Sequence, residues 1–260
     1  MTAFNDLYYQ SLRDVAYIEA SLGSTAKAAA YDQAAAHVRD AINANLLDPA
    51  TGTYYLSDAD HSTFAQDANA LSVLFGVAPA AKVPGILSAL KTLWGRHGSE
   101  PFSGTTYSNL ISPYITAYEI EADYLAGDTA DAEHLMHLTW DQMIDPRNPF
   151  FTGTMWENIG PEGTATEART SLAHGWASGP TPILTGYVLG VQPVKPGYQT
   201  FTVTPHPGSL RWAEGAVPTP YGQILVRWTR DGHRFSLTVA VPARSTAFIQ
   251  LPDGHHVTLP

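Results

Sequence analysis

The sequence predicts a mainly helical chain that ends in a small all-β domain. Three observations carry that prediction. Up to about residue 190, apolar residues recur at spacings of three and four, and Gly23, Gly76, Gly95 and Gly127 close the runs. The order helix, short turn, helix, long loop repeats, and short turns between helices make antiparallel αα-hairpins. Past Gly190-Val191-Gln192-Pro193 the period changes to alternation, with turn residues between the runs. The expected domains are residues 1–190, helical, and residues 191–260, an antiparallel β-sandwich.

Phe4, Leu7, Tyr8, Leu12, Val15, Ile18 and Leu22 read as one face of a first helix, which Gly23 closes. Ser24 or Thr25 caps a second helix with the stripe Tyr31, Ala35, Val38 and Ile42. A turn at Asp48-Pro49-Ala50-Thr51-Gly52 leads to a short extended excursion at Tyr54-Tyr55-Leu56. A third helix runs from about Phe64 to Phe75, and a fourth carries Val83, Ile86, Leu87, Leu90, Leu93 and Trp94. Arg96 to Tyr107 is polar and glycine-rich and reads as a long loop. Ser112-Pro113 opens a fifth helix, with the proline where its missing N–H costs nothing. Asp128 or Thr129 caps a sixth, which ends at Asp145-Pro146. A seventh covers about Gly179 to Leu189.

In the tail, Phe201 and Val203, then Ile224, Val226 and Trp228, then Phe235, Leu237, Val239 and Val241, then Ala247, Ile249 and Leu251 alternate. Turns fall at Pro205-His206-Pro207-Gly208, at Pro220-Tyr221-Gly222 and at Asp231-Gly232, the last a strong hairpin signal. Long loops that recur at one end of successive helical hairpins gather on a rim, where a site is readily built.

The composition narrows the function. A net charge of −10 with only 14 Lys and Arg would repel phosphate backbones, so nucleic acid is not an expected partner. Apolar residues at 44% are enough for a core. No apolar run reaches the length of a membrane span, so the chain reads as soluble with no membrane partner. Cysteine is absent, which removes disulfides and thiolate chemistry. The N-terminus has no signal-peptide pattern, and the location stays unknown: cytoplasmic, or secreted as part of a longer protein. No cofactor motif is found: there is no phosphate-binding glycine loop, nucleophile elbow or zinc pattern.

The chain is organised around Thr154-Met155-Trp156-Glu157 and a second segment, Ser171-Leu172-Ala173-His174-Gly175-Trp176. Asn158 to Thr170 between them reads as a loop. Glu157 beside Trp156 offers a proton acceptor and a flat apolar wall, a combination that suits a sugar ring. The plainer alternative makes Glu157 a solvated loop acid and Trp156 a core anchor. His174 likewise reads either as a ligand-binding residue or as a helix cap. Asp58, Asp60 and His61 lack a fourth ligand and read as a solvated loop rather than a metal site. Arg96, His97, Glu100, Tyr107 and Asn109 belong to a rim loop and either touch substrate or tie the loop down. His255-His256 reads as tail. Glu119 and Glu121, two apart on a helix, cannot share a face as an acid–base pair.

Together these features resemble the C-terminal part of the family 78 α-L-rhamnosidases, six-hairpin (α/α)6-barrel glycosidases. Ile111-Ser112-Pro113-Tyr114-Ile115 with Glu119-Ile120-Glu121 is similar to that family's penultimate hairpin. Thr154 to Glu157 is similar to its Trp-Glu motif, and Ser171 to Trp176 to its His motif. Val188-Leu189-Gly190-Val191, Pro196-Gly197-Tyr198 with Val203-Thr204-Pro205, and Val239-Ala240-Val241-Pro242 are similar to its barrel exit and C-terminal sandwich. The resemblance implies that residues 1–190 are part of a six-hairpin barrel. It implies hydrolysis of a terminal α-L-rhamnosyl bond with inversion, Glu157 as general base, His174 hydrogen-bonding the sugar, and Trp156 supporting the base. From the residues themselves, no metal site is expected.

The sequence departs from the family in one respect. The family's general acid, a Glu in an Asp- and Trp-bearing segment of the first half of the barrel, has no counterpart here. The expectation is therefore a C-terminal portion, inactive or nearly so alone, whose partners are a rhamnosyl glycoside and the missing N-terminal half of the barrel. Alternatives are a carbohydrate-binding or scaffold domain without catalysis, and another six-hairpin glycosidase.

Overall fold

The computed structural model describes residues 1–165, 170–232 and 234–260. The chain divides into two compact units. One is Met1–Ala126 with His134–Ala177, and the other Gly127–Glu133 with Ser178–Pro260.

The first unit opens with helices α1 (Thr2–Ser21) and α2 (Thr25–Asn45), packed along each other. Gly23 takes φ +83° as the expected left-handed cap, and the Ser24 N–H returns to the Glu19 carbonyl at 2.8 Å. Ser24 stands at the start of α2 but its hydroxyl makes no capping bond. The face that α1 buries differs from the expected stripe. Thr2, Ala3, Asp6, Tyr9, Leu12 and Ala16 are buried, while Phe4, Leu7, Tyr8, Ile18 and Leu22 are exposed. Leu12 alone belongs to both sets. The small side chains Ala3 and Ala16, with Ala28 and Ala35 on α2, allow close helix approach, which a count of large apolar residues overlooks.

After the expected turn at Asp48 to Gly52 come α3 (Gln66–Leu74), α4 (Val83–Leu90), α5 (Pro113–Ala126) and α6 (Thr129–Ile144). α3 packs on α4 and more extensively on α5. Tyr9, Leu12, Ile42, Tyr54, Ile86 and Leu90 centre the core. The fourth helix ends earlier than expected: a 3-10 turn over Lys91–Leu93 follows α4, and Trp94 and Gly95 leave the helix as β1 (Trp94–Gly95), which pairs with β2 (Gly98–Ser99) at the start of the polar loop.

Buried polar groups tie these helices together. Glu119 on α5 is 1% exposed and accepts the Trp94 indole N–H and the Gln66 amide, each at 2.7 Å. Burial raises its pKa and these two hydrogen bonds oppose the rise. Asp6 on α1 is fully buried, and the Ser72 hydroxyl of α3 donates to it at 2.9 Å. Burial pushes the Asp6 carboxyl up to about 8, the Ser72 bond opposes this, and the Asp67 charge adds to it.

The folded state thus holds a proton on Asp6 that the unfolded chain releases near pH 4. The stability tied to this proton is complete below that unfolded pKa and is lost as pH rises through about 8. Asp6→Asn keeps the acceptor for Ser72 and removes the titration. We expect its melting temperature to fall by several degrees less between pH 5 and pH 8.5 than that of the parent. Parallel pH dependence in both proteins would refute the assignment.

The second unit contains α7 (Pro180–Ile183), which continues as a wider π turn over Leu184–Val188 where a plain helix was expected. Its strands are β3 (Val191–Pro193), β4 (Thr200–Val203), β5 (Trp212–Thr219), β6 (Gly222–Asp231), β7 (Arg234–Ala240), β8 (Thr246–Gln250) and β9 (His256–Leu259). They form two sheets, in the orders β3-β4-β8-β9 and β5-β6-β7. The first sheet buries Phe201, Val203, Ala247 and Ile249, and the second buries Ile224, Val226 and Trp228.

The antiparallel expectation needs one correction: β4 and β8 run parallel. The Thr204 N–H bonds the Gly190 carbonyl at 2.9 Å, and the Trp228 indole N–H bonds the Val188 carbonyl at 2.9 Å. Glu133, at the start of α6, accepts the Ser209 N–H on both carboxylate oxygens, at 3.1 and 3.0 Å. No helix of the described residues is long and apolar enough to cross a membrane.

Candidate active site

The site lies within the first unit, where the two central segments run against each other. The Glu157 N–H donates to the Ser171 carbonyl at 2.9 Å, and the His174 N–H donates to the Met155 carbonyl at 2.9 Å. The Thr154 hydroxyl donates to the Leu172 carbonyl. Beyond Glu157 the chain bridges from Ile159 to Ile111, then turns back over Gly160 to Thr164 so that Ala165 pairs with Ile159. The His97 ring sits against that turn, within 2.6 Å of where a Cβ on Gly163 would stand. The expected loop thus has an ordered start. Thr166 to Arg169 lie outside the described residues.

Glu157 is held at two levels. Its backbone is fixed by the Ser171 carbonyl, and its carboxylate Oε2 accepts the Ser171 N–H at 2.9 Å. His174 Nδ1 stands 3.9 Å from the same oxygen. The two side chains are partly exposed, at 24% for Glu157 and 31% for His174. Among the described residues no hydrogen bond reaches Oε1. A partly exposed carboxylate oriented by an amide can accept a proton.

Trp156 is fully buried. Its indole N–H bonds the Thr152 hydroxyl at 3.0 Å, and its backbone N–H points to the Met143 sulfur at 3.4 Å. It anchors the segment that carries Glu157, and its burial leaves no surface for a sugar. The exposed indole beside Glu157 belongs to Trp176, which is 42% exposed and gives its N–H to the Glu157 carbonyl at 3.2 Å. Trp176 stacks on Tyr114 of α5 at 5.3 Å and lies 4.4 Å from the His174 ring. The Tyr118 hydroxyl donates to the Tyr114 oxygen at 2.9 Å. Sequence reasoning quoted both Trp176 and Tyr114 inside motifs without giving either a role.

The other candidates fall away from this cluster. Asp60 accepts the Ser62 and Thr63 amides and both their hydroxyls, which holds its pKa low and makes it a turn residue. His61 stacks on Tyr55 at 4.0 Å. Tyr107 reaches back to Asp60 at 3.2 Å, and the His97 carbonyl accepts the Gln142 amide at 3.0 Å, so these two residues tie the rim loop down. Arg96 and Asn109 are exposed and Glu100 is partly buried. Among the described residues no three His, Asp or Glu side chains are grouped to hold a metal ion. A cavity of about 350 Å³ between α1 and α2, lined by Asn5, Tyr8, Val38 and Asn45, contains none of the cluster's residues. His255 pairs with Asp253 in the tail at 3.0 Å.

Comparison with known proteins shows the family and the fold. Residues 2–181 match the family model of the bacterial alpha-L-rhamnosidase six-hairpin glycosidase domain, and residues 190–259 that of the bacterial alpha-L-rhamnosidase C-terminal domain. An alpha-L-rhamnosidase of Streptomyces avermitilis is 27% identical over 138 residues, covering 50% of this chain and 13% of that protein. One of an Alteromonas species is 39% identical over 70 residues, covering 26% of this chain and 8% of that protein. The solved structure of a family 78 rhamnosidase from Bacillus sp. GL1 superposes with a TM-score of 0.79 at 24% identity, covering 98% of this chain and 26% of that one. The fold is the same, and the chain spans about a quarter of that structure's length.

Proposed function

Because the chain belongs to the bacterial alpha-L-rhamnosidase six-hairpin glycosidase family, we propose that it carries the general-base half of an inverting α-L-rhamnosidase site. Glu157 is the base. Inversion needs a water on the face of the sugar opposite the leaving group, and a carboxylate that removes its proton as it attacks C1. The observation that carries the reading is the partly exposed Glu157 carboxylate, held at Oε2 by the Ser171 N–H beside His174. His174 hydrogen-bonds a sugar hydroxyl, and Trp156 supports the base from the core.

A general acid must protonate the leaving oxygen, and this reading draws it from outside these 260 residues. The same proposal takes 1–190 as barrel and 191–260 as the C-terminal domain. One missing acid–base group costs about 10²–10⁴-fold in rate. We therefore expect the 260-residue polypeptide to leave an aryl α-L-rhamnoside uncleaved above background. Adding the acid-bearing helical half of a family member should restore turnover. Normal turnover by the polypeptide alone would refute the account of the acid. Failure of complementation in an assembled complex would favour a sugar-binding domain.

A further inference from the structure

We propose that His97 is a positioning residue for Glu157, acting through the turn that follows the carboxylate in sequence. The inference deepens the rhamnosidase reading and rests on it for the reaction that Glu157 serves. Gly163 takes φ +76°, and a Cβ built on it would stand 2.6 Å from both Cε1 and Nδ1 of His97 and 2.9 Å from Cγ. A point so nearly equidistant from three ring atoms lies over the face of the imidazole, not beyond its edge. The bare Cα of Gly163 therefore rests on the flat of the ring, an approach that glycine alone combines with a positive φ.

The ring is itself held. His97 lies in the turn of the β1–β2 hairpin, whose ladder pairs Trp94 with Ser99 and Gly95 with Gly98. The Trp94 indole bonds the buried Glu119 of α5 at 2.7 Å, and the Gln142 amide of α6 bonds the His97 carbonyl at 3.0 Å. At Gly98 a Cβ would stand 2.9 Å from Ile111 Cγ2, so the hairpin backbone lies close against Ile111. Ile111 and Ile159 exchange both backbone hydrogen bonds, at 2.9 Å each, and Ile159 stands two residues after Glu157. The turn then closes: the Gly160 N–H bonds the Thr164 carbonyl at 3.0 Å, and the Gly163 N–H bonds the Gly160 carbonyl at 2.8 Å. One anchored hairpin thus seats the start of the loop through Ile111 and its first turn through His97. Both contacts bear on where Glu157 stands relative to Ser171, whose N–H orients Oε2.

The test is amide hydrogen exchange of the full chain, read by NMR at Ser171, beside His97→Ala, His97→Phe and Gly163→Ala. The Tyr54 amide, bonded to the buried Asn69 side chain at 2.8 Å in the same unit, reports general loosening. His97→Ala and Gly163→Ala should speed exchange at Ser171 about tenfold and leave Tyr54 unchanged. His97→Phe keeps a flat ring over Gly163 and should hold exchange near the parent's. Gly104→Ala, at φ +77° with nothing within 4 Å of its Cβ, should leave Ser171 unchanged. In the complemented enzyme His97→Ala should lower kcat about tenfold with KM little changed, since a displaced base weakens the transition state more than binding. Parent-like exchange at Ser171 in both His97→Ala and Gly163→Ala would overturn the proposal, as would unchanged kcat in an active complemented enzyme. Equal acceleration at Ser171 and Tyr54 would make His97 a structural prop and overturn it too. Exchange needs no substrate, so acceleration confined to Ser171 beside a complemented enzyme without turnover would keep the clamp and overturn the rhamnosidase reading instead.

Discussion

Glu157→Gln is expected to lower kcat by about 10²–10⁴-fold in the complemented enzyme while KM changes little. Glutamine has the shape of glutamate, and its carbonyl oxygen can still accept the Ser171 N–H that now goes to Oε2 at 2.9 Å. The backbone bonds between Glu157 and Ser171 and between Trp176 and Glu157 do not involve the side chain. Only the capacity to take a proton from water is lost, so the loss belongs to the transition state rather than to binding. Azide gives an independent check. It needs no base, so with Glu157→Ala it should attack C1 from the water's face and yield the β-rhamnosyl azide from an α substrate. A Glu157→Gln enzyme with undiminished kcat, or an azide product of retained configuration, would remove Glu157 from the base role.

Some of this arrangement was legible in the sequence, and the reasons for the gaps are physical. Helix ends were readable because Gly23, Gly76 and Gly127 adopt left-handed φ at the helix stops, a signal local to the chain. The face of α1 was not. Both sides of that helix are apolar, and packing uses the side with alanines and the buried Asp6, leaving Phe4 and Tyr8 exposed. Strand β5 escaped notice because its half-buried and buried positions include Ala213 and Gly215, which make no large apolar alternation. The parallel β4–β8 pair depends on a crossover that no turn residue announces.

At the site, the pairing of Glu157 with Ser171 joins residues 14 apart, and resemblance rather than spacing brought the two segments together. The difference between Trp156 and Trp176 is one of burial, which a lone indole in a sequence does not reveal. Adjacency to a carboxylate pointed to the tryptophan that became core, while the exposed one lay in the opposite segment.

Gly190→Ala should be the most damaging single methyl group added to this chain. Gly190 has φ +87°, and a Cβ there would stand 2.4 Å from the Thr204 carbonyl carbon, 2.5 Å from the Pro205 nitrogen and 2.6 Å from the Thr204 oxygen. All three are backbone atoms, so no side chain can swing aside. Nor can the backbone easily separate. The Thr204 N–H bonds the Gly190 carbonyl, and the next residues enter the β3–β4 ladder as Val191 opposite Val203.

Gly254→Ala is the control. It has the same φ of +87° but nothing within 4 Å of its Cβ. The control isolates the left-handed backbone term, about 1–2 kcal/mol. The clash at Gly190 adds several more, for a total of about 4 kcal/mol or above. Against a typical domain stability of about 5–15 kcal/mol, that removes much of the margin. Thermal unfolding should show Gly190→Ala melting more than about 10 °C below Gly254→Ala. Equal melting temperatures would mean that the close approach of Gly190 to Thr204 does not hold the start of β3 against β4 in solution.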